Sequence, residues 1–266
     1  MSTIEKMWND AAEAWADFVR TGKDYYRDEL NNPAMFLMLG DISGKKILDV
    51  GCGEGYNTRI MAQKGAVVTG VDFSKKMIDC AVQEERKELE IEYFIADACD
   101  MHIFGENTFD IVTCFMALQD IEDYQGAVSE VSRVLKNSGR FIFVIPHPCF
   151  EKRVMNGGII GGWEFEKGKK PTMENALYYK VDKYFDTHGY TISWKMKRLR
   201  HHFKTTSFHR TLTDYSDALH SAGLMISQLT EPRPTERGLA EFPIEETLRI
   251  PQSIVIEAVK CCKNEG

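Results

Sequence analysis

Short apolar runs rich in β-branched residues alternate with segments of helical periodicity between Lys45 and Ile145. This alternation is typical of βαβ units, in which parallel strands are connected by helices. It restricts this part of the chain to an α/β structure built on a parallel sheet. The strands that we predict are Lys46–Val50, Ala66–Val71, Ile91–Ala96, Phe109–Cys114 and Arg140–Ile145.

Capping residues mark the ends of helices around these strands. Ser74 precedes an apolar stripe and is expected to cap the helix after the second strand. Asp123 is expected to cap the helix before the fifth strand, and Gly139 to end it. An amphipathic helix over residues 4–20 is expected before the sheet, and another helix over residues 213–222 after it.

Composition and charge exclude several classes of protein. Hydrophobic residues make up 43% of the chain and charged residues 27%, which excludes a disordered or collagen-like chain. The longest uninterrupted apolar run, Phe141–Ile145, is far below the ~18 residues of a bilayer-spanning helix, so no membrane partner is expected. The net charge of −7 argues against nucleic acid as a partner.

The N-terminus and the cysteines indicate a cell compartment. Residues 1–6 lack the basic and apolar regions of a signal peptide. The seven cysteines form no C-x-x-C pair, and there is no H-E-x-x-H motif. We therefore expect a cytoplasmic location, no disulfide framework and no bound metal.

A glycine-rich loop follows the first predicted strand. Gly51, Gly53 and Gly55 stand at alternate positions, directly before a helix that begins near Tyr56. Glycine is needed where the backbone turns sharply or must approach a ligand closely. The dinucleotide fingerprint G-x-G-x-x-G requires a glycine at position 56, where this chain has tyrosine. A ligand-binding loop and a structural turn both remain open at this point.

Three acidic residues accompany the loop at the carboxyl ends of the first three strands. Asp49 lies within the strand that leads into the loop, Asp72 ends the second strand and Asp97 ends the third. A carboxylate at the end of the second strand can accept two hydrogen bonds from a ribose diol. Each acid alone also fits a helix cap or a solvated strand end. Their shared edge favours a nucleotide-like ligand.

Together these segments resemble the class I S-adenosylmethionine-dependent methyltransferases of the small-molecule, type 11-like branch. Matching motifs continue at Ala96–Ala98, Phe109–Val112 and Leu135–Arg140, and the resemblance covers residues 42–148. It implies a three-layer Rossmann-like sandwich whose seven-stranded sheet is mostly parallel with an antiparallel last strand. The strands expected to close that sheet are Met225–Thr230 and Gln252–Val259.

The resemblance also implies a cofactor and the residues that bind it. S-adenosylmethionine would be the methyl donor and S-adenosylhomocysteine the product. The N-terminal segment would close over the cofactor, with Arg27 either meeting its carboxylate or forming a surface salt bridge. The residues assigned to cofactor binding are Tyr25, Arg27, Asp49, Gly51, Cys52, Gly53, Gly55, Asp72, Phe73, Met77, Asp97, Ala98, Phe115 and Met116.

Two histidines are candidate general bases. Methyl transfer from a sulfonium is an in-line displacement that needs a base only if the acceptor loses a proton. His147 follows the fifth strand and His209 ends the aromatic region, although both also fit structural roles. Many relatives carry a histidine pair after the fourth strand, where this chain reads Ala117-Leu118-Gln119-Asp120. Gln119 can orient a substrate there but cannot act as a base.

We interpret residues 1–266 as one domain with four parts. These are an N-terminal helical cap over 1–41, a cofactor-binding core over 42–149, an inserted substrate cap over 150–210 and a C-terminal completion of the sheet over 211–262. The insert holds eleven aromatic residues and a basic stretch. The basic residues of that stretch are Lys195, Lys197, Arg198, Arg200, Lys204 and Arg210.

The insert favours a small-molecule substrate of aromatic or anionic character. Its aromatic residues can wall an apolar pocket or form a satellite core. Its basic stretch fits a solvated strand face, with Ile192, Trp194 and Met196 alternating with polar residues. Two other functions remain open, namely an NAD-type oxidoreductase on the same sheet and a non-catalytic cofactor-binding protein.

Overall fold

A computed structural model of the protein describes residues 2–84, 87–155, 158–195 and 199–261. The elements in chain order are α1 (Thr3–Arg20), α2 (Asn32–Leu39), β1 (Lys46–Val50), α3 (Tyr56–Gln63), β2 (Val67–Asp72), α4 (Lys75–Gln83), β3 (Glu92–Ile95), β4 (Phe109–Phe115), α5 (Tyr124–Val134), β5 (Leu135–Pro146), β6 (Arg153–Met155), β7 (Gly158–Ile160), β8 (Gly162–Phe165), β9 (Ala176–Lys180), β10 (Gly189–Trp194), β11 (Phe203–Phe208), α6 (Leu212–Ser221), β12 (Leu224–Thr230), α7 (Glu236–Glu241) and β13 (Ser253–Lys260).

Seven of these strands form one sheet in the order β12-β13-β5-β4-β1-β2-β3. Strand β13 pairs antiparallel with both β5 and β12, and the other six strands run parallel to one another. The predicted seven-stranded, mostly parallel sheet with an antiparallel last strand is therefore confirmed. The strand order reverses at β1, which pairs in parallel with β2 on one side and β4 on the other.

Helices cover both faces of the sheet because its central strands are apolar on both sides. In β5, Phe141 and Phe143 face the cluster that contains α5 and α6, whereas Ile142 and Val144 face the cluster that contains α2 and α3. Successive strand residues point to opposite faces, so a continuous apolar run serves both layers. The run Phe141–Ile145 is completely buried. The resulting three layers hold the carboxyl ends of the parallel strands in fixed positions.

Two of the three predicted capping residues are confirmed. The Ser74 hydroxyl accepts a hydrogen bond from the Met77 amide (3.2 Å), and the Asp123 carboxylate accepts one from the Gly126 amide (2.9 Å). Gly139 is not the end of α5, which stops at Val134 and continues directly into β5. The early strand start is a tertiary effect, because Leu135 pairs with Phe109 of β4.

The described residues of the insert form three antiparallel hairpins outside the main sheet. These are β6–β7, β8–β9 and β10–β11. The last of them contacts α1 through aromatic rings, with the Trp15 ring 5.4 Å from that of Trp194. Of the predicted strand alternation and basic stretch, Met196, Lys197 and Arg198 lie outside the described residues, as does residue 262 of the C-terminal part.

Helix length and polarity bear on the expected absence of a membrane partner. None of the helices in the part of the chain that the structure describes has both the length and the apolar character needed to span a bilayer.

The first loop glycine is required by sterics, which a matched pair of variants tests. Gly51 has a φ of +67°, and an added Cβ would lie 2.5 Å from the Ala117 Cβ. Gly44 has a similar φ of +70° but nothing within 4 Å of that position. We expect Gly44→Ala to lower the free energy of unfolding by about 1–2 kcal/mol, the cost of a left-handed alanine.

Gly51→Ala carries the same backbone cost and adds the overlap with Ala117. Its loss of stability should exceed that of Gly44→Ala by about 1–3 kcal/mol in urea denaturation. Equal losses in the two variants would show that the contact with Ala117 is not tight.

Candidate active site

A cavity of about 790 Å³ opens along the carboxyl edge of the sheet, where the strand order reverses. Its floor is formed by the residues that follow β1, β2, β3 and β4, and its roof by α1, residues 23–27 and the β10–β11 hairpin. Ligands of open α/β sheets bind in this crevice. The volume lies toward the upper end of the roughly 300–1,000 Å³ that is usual for small-molecule sites.

The glycine loop forms part of the floor, and its three glycines have different tasks. Gly53 has a φ of +56°, and a Cβ there would meet nothing within 4 Å, so the backbone faces open space. Gly55 also has a positive φ, but a Cβ there would lie 2.5 Å from the Tyr93 hydroxyl oxygen. Gly53 thus leaves room for a ligand, whereas Gly55 leaves room for Tyr93.

Asp72 holds the loop in place from the end of β2. Its two carboxylate oxygens accept hydrogen bonds from the amides of Ser74 (2.8 Å) and Gly53 (3.0 Å). Burial raises the pKa of Asp72 to about 6, although both amide donors act to lower it. Each carboxylate oxygen has a second lone pair, so Asp72 can still accept hydrogen bonds from a ligand.

Asp49 lies beneath the loop and is almost completely buried. Its oxygens accept hydrogen bonds from the hydroxyls of Thr58 (2.7 Å) and Thr113 (2.8 Å). Burial raises the pKa of Asp49 to about 6, against the lowering effect of both hydroxyls. The neighbouring Cys52 thiol also has a pKa raised by burial, so it is not an activated nucleophile.

Arg27 and Tyr25 line the cavity on its other side. The Arg27 guanidinium lies 4.0 Å from the centre of the Tyr56 ring, and its Nε is 3.1 Å from Asp28. Only 11% of the Arg27 side chain is exposed. The buried Tyr25 stacks on Phe242 with ring centres 5.0 Å apart. Arg27 thus pairs with an acid and also faces the cavity, where it can meet an anionic group.

A strained residue follows β4 at the cavity floor. Met116 has a φ of +52°, in the left-handed region that non-glycine residues rarely adopt, and its amide donates to the Val144 carbonyl (3.0 Å). Strain of this kind is often found at functional sites.

The structure brings together nearly all residues that the resemblance assigns to the cofactor. All of them except Gly55 line the cavity. Those that do are Tyr25, Arg27, Asp49, Gly51, Cys52, Gly53, Asp72, Phe73, Met77, Asp97, Ala98, Phe115 and Met116. The resemblance assigns Gly55 to the cofactor, but the structure gives another reason for a glycine there. A side chain at this position would overlap Tyr93.

Neither candidate histidine reaches the cavity wall, as far as the described residues form it. His147 is buried, and its Nε2 lies 3.2 Å from Glu231, while its Nδ1 accepts from the Cys149 amide. Burial lowers the pKa of His147. Both nitrogens of the buried His209 ring are engaged, with Glu151 at 2.7 Å and the Tyr184 carbonyl at 2.9 Å. Both histidines thus have structural partners, and we assign neither the role of base.

Prediction from the sequence misses two polar residues of the cavity, Asp120 and Ser207, and includes Gln119 only as a residue that can orient a substrate. Gln119 and Asp120 lie in a 3₁₀ turn, Leu118–Asp120, directly after β4, and Ser207 lies on β11. The available signal was position, since Gln119 and Asp120 occupy the segment where related enzymes carry histidines. Ser207 gave no such signal, because only the folded hairpin brings it over the sheet edge.

The raised pKa of Asp49 predicts a dependence of stability on pH. Its ordinary value is 3.8 and its value in the folded protein is about 6, so the folded state retains a proton that the unfolded state has lost. Stability from this group is therefore full below the unfolded pKa and falls as the pH rises from about 4 to about 6. Asp49→Asn preserves the shape and cannot ionise.

Between about pH 4 and 7, the free energy of unfolding of the wild type should fall by up to about 3 kcal/mol more than that of Asp49→Asn. Urea denaturation at the two pH values measures this difference. The same pH dependence in both proteins would contradict the burial assigned to Asp49.

Comparison with known proteins agrees with this geometry. Residues 48–143 match the family model described as a methyltransferase domain. The crystal structure of an S-adenosylmethionine-dependent methyltransferase from Mesorhizobium loti superposes with a TM-score of 0.68. That alignment has 26% sequence identity and covers 86% of this chain and 96% of the other.

Similar sequences include demethylmenaquinone methyltransferase from Tropheryma whipplei, 32% identical over 52% of this chain and 57% of that protein. The ubiquinone biosynthesis O-methyltransferase of Coxiella burnetii is 36% identical over 38% of this chain and 44% of that protein. The chain thus spans about half the length of the curated relatives it matches. Its core, with this sheet order and this family match, is a class I S-adenosylmethionine-dependent methyltransferase domain.

Proposed function

We propose that this protein binds S-adenosylmethionine in the cavity and transfers its methyl group to a small molecule held in the same cavity. The observation that carries the proposal is the composition of the cavity wall. One half holds the glycine loop and the strand-end acids, and the other half holds aromatic side chains of α1 and β10. A single cavity thus has separate surfaces for a nucleoside and for an apolar partner.

The residues of the first half fit the cofactor. The open space above Gly53 admits a ligand against the loop backbone, and Asp72 keeps acceptor capacity for a ribose diol. Asp97, whose Oδ1 accepts from the Cys99 amide, would meet the adenine amino group together with Ala98. Phe73 and Met77 would flank the adenine.

The remaining predicted contacts complete the cofactor site. Asp49 and Cys52 would lie beneath the methionine part, Phe115 and Met116 beside it, and Tyr25 over it. When bound, the cofactor supplies a methyl group on a positively charged sulfur. The protein's own task is to hold an acceptor in line with that group and to exclude water.

The proposed function includes a ring-bearing substrate and a cytoplasmic location. The names of the two relatives refer to menaquinone and ubiquinone chemistry, which supports a ring-bearing acceptor. We propose that the cap over 1–41 and the insert over 150–210 supply the acceptor's surroundings, since Trp15 and Trp194 face the cavity. The six described cysteines are free thiols, which supports a cytoplasmic location.

An oxidoreductase is the less favoured function. The glycine that the dinucleotide fingerprint requires is replaced by Tyr56, whose ring packs under Arg27. Isothermal titration calorimetry with S-adenosylmethionine, S-adenosylhomocysteine and NAD separates the two functions. Binding of NAD but of neither sulfur nucleoside would refute the proposal.

Replacing Asp72 tests the ribose contact. Asp72→Ala removes the acceptor for the diol and the hydrogen bond that holds Gly53, so S-adenosylhomocysteine should bind more weakly by more than about 1 kcal/mol in calorimetry. Asp79→Ala is the matched control, because Asp79 lies outside the cavity and pairs with Lys75. Unchanged affinity in Asp72→Ala would remove Asp72 from the site.

Replacing Arg27 tests which part of the cofactor it meets. We expect Arg27→Met to weaken S-adenosylhomocysteine by about 1–3 kcal/mol, because a charged hydrogen bond to the carboxylate is lost. The affinity for 5′-methylthioadenosine, which lacks the amino acid part, should change by less than about 0.5 kcal/mol. Equal losses for both ligands would assign Arg27 a purely structural role.

A further inference from the structure

The acceptor end of the cavity, formed by α1, β10, β11 and the Leu118–Asp120 turn, is an aromatic enclosure. The Trp15 ring contacts Trp8 and Trp194 edge to face, with centres 6.0 Å and 5.4 Å apart. The aliphatic side chain of Ile192 lines the same end of the cavity. Walls of this kind bind a flat apolar molecule by excluding water from both partners.

One polar atom in this apolar end, Oε1 of Gln119, has no hydrogen-bond partner among the described residues, and Gln119 is only 6% exposed. The Ser207 hydroxyl, whose residue is 1% exposed, lies beside the Asp120 carboxylate. The Gln119 amide is fixed by donating to the Met116 carbonyl at 2.6 Å. A buried unpaired polar group costs about 1–3 kcal/mol, and in a native structure it calls for a specific explanation. Because Gln119 lines the cavity, a bound acceptor is the explanation that we adopt for its unpaired oxygen.

Asp120 lies beside the Ser207 hydroxyl and completes this polar group. Ser207, Gln119 and Asp120 all present oxygen atoms that can accept a hydrogen bond, and none of the three is positively charged. The Arg210 guanidinium lies at this turn, but it donates to the carbonyls of Leu118 and Glu122 and covers the Tyr124 ring. The acceptor end is therefore suited to a neutral molecule that donates a hydrogen bond, and it disfavours an anion.

We propose that Asp120 is the general base for a hydroxyl on an apolar ring, with Ser207 and Gln119 orienting that hydroxyl. This proposal rests on the proposed methyltransferase function. Asp120 takes the proton as the hydroxyl oxygen forms its bond to the methyl carbon. The carbon–sulfur bond breaks, and its electron pair remains on the sulfur. The products are the methyl ether, the neutral thioether and protonated Asp120, which returns its proton to water.

The groups around Asp120 set the pH at which it can accept a proton. Burial raises the pKa of Asp120 to about 8; Ser207 and Arg210 act to lower it, and the carboxylate of Glu151 acts to raise it. Glu151 is itself held by His209 and by the hydroxyl of Tyr190. Asp120 is protonated below its pKa and cannot act as a base there, so kcat/KM should rise with pH and level off above about 8.

The first test measures binding without turnover. Tryptophan fluorescence reports the acceptor end, and S-adenosylhomocysteine is kept saturating. The probes are 4-hexylphenol, its methyl ether 4-hexylanisole and the anion 4-hexylbenzoate. We expect the phenol to bind at least about tenfold more tightly than the anisole and more tightly still than the benzoate, with the phenol preference reduced in Ser207→Ala. A benzoate that binds as well as the phenol would overturn the inference.

The second test follows methylation of 4-hexylphenol across pH. Asp120→Asn keeps the shape of the side chain, and we expect it to lower kcat by about 10²–10⁴-fold and to abolish the rise toward pH 8. Its affinity for S-adenosylhomocysteine should stay within about twofold of wild type, which shows that the variant is folded. Asp79→Asn, on the exposed face of α4, is the control and should keep the wild-type profile.

The outcomes separate this inference from the function on which it rests. A wild type that binds neither S-adenosylmethionine nor S-adenosylhomocysteine contradicts the proposed function. A wild type that binds the cofactor but shows no preference for the phenol leaves that function intact and overturns the acceptor site. If Asp120→Asn has unchanged turnover and an unchanged pH profile, only the assignment of Asp120 as the base is contradicted.

Discussion

The pairing of β1 with parallel neighbours on both sides is the constraint on which the rest of the structure depends. Because β2 and β4 both run parallel to β1, the chain leaves these strands at one edge and opens a crevice there. The loop after β1 can enter that crevice only without a side chain at Gly51, whose Cβ position is occupied by Ala117 after β4. The position of the cavity thus follows from the sheet topology and from the absence of a side chain at Gly51.

A buried carboxylate connects the roof of the cavity to this loop. Glu54 is 2% exposed, and its Oε2 accepts from Arg20 of α1 (2.8 Å) and from Arg59 of α3 (2.9 Å). The Arg20 guanidinium also donates to the Cys80 carbonyl at the end of α4. A buried charge without its partners is strongly destabilising. The position of α1, and with it of the aromatic rings that it carries over the sheet, is therefore coupled to the loop.

Local signals explain why the sequence predicted one half of the cavity and not the other. The strands, the Ser74 cap, the glycine loop and Asp72 depend on residues a few positions apart, which a pattern can read. The acceptor end depends on contacts between distant segments. Glu151 engages His209 across 58 positions, and Ser207 reaches the sheet edge only through the hairpin. The same packing removes His209 from the candidate bases and leaves Asp120 at the cavity.

Buried acids at both ends of the cavity favour a reaction in which a positive and a negative charge neutralise each other. Burial raises the pKa of Asp49, Asp72 and Asp120 despite the hydrogen bonds that each accepts, so each carboxylate is less stable in its ionised form than it would be in water. A cationic methyl donor relieves that cost when it binds. In the transfer, the positive charge on sulfur and the negative charge on Asp120 disappear together. Since isolated charges are least stable in surroundings of low polarity, the burial that makes Asp120 hard to ionise also favours the neutral products.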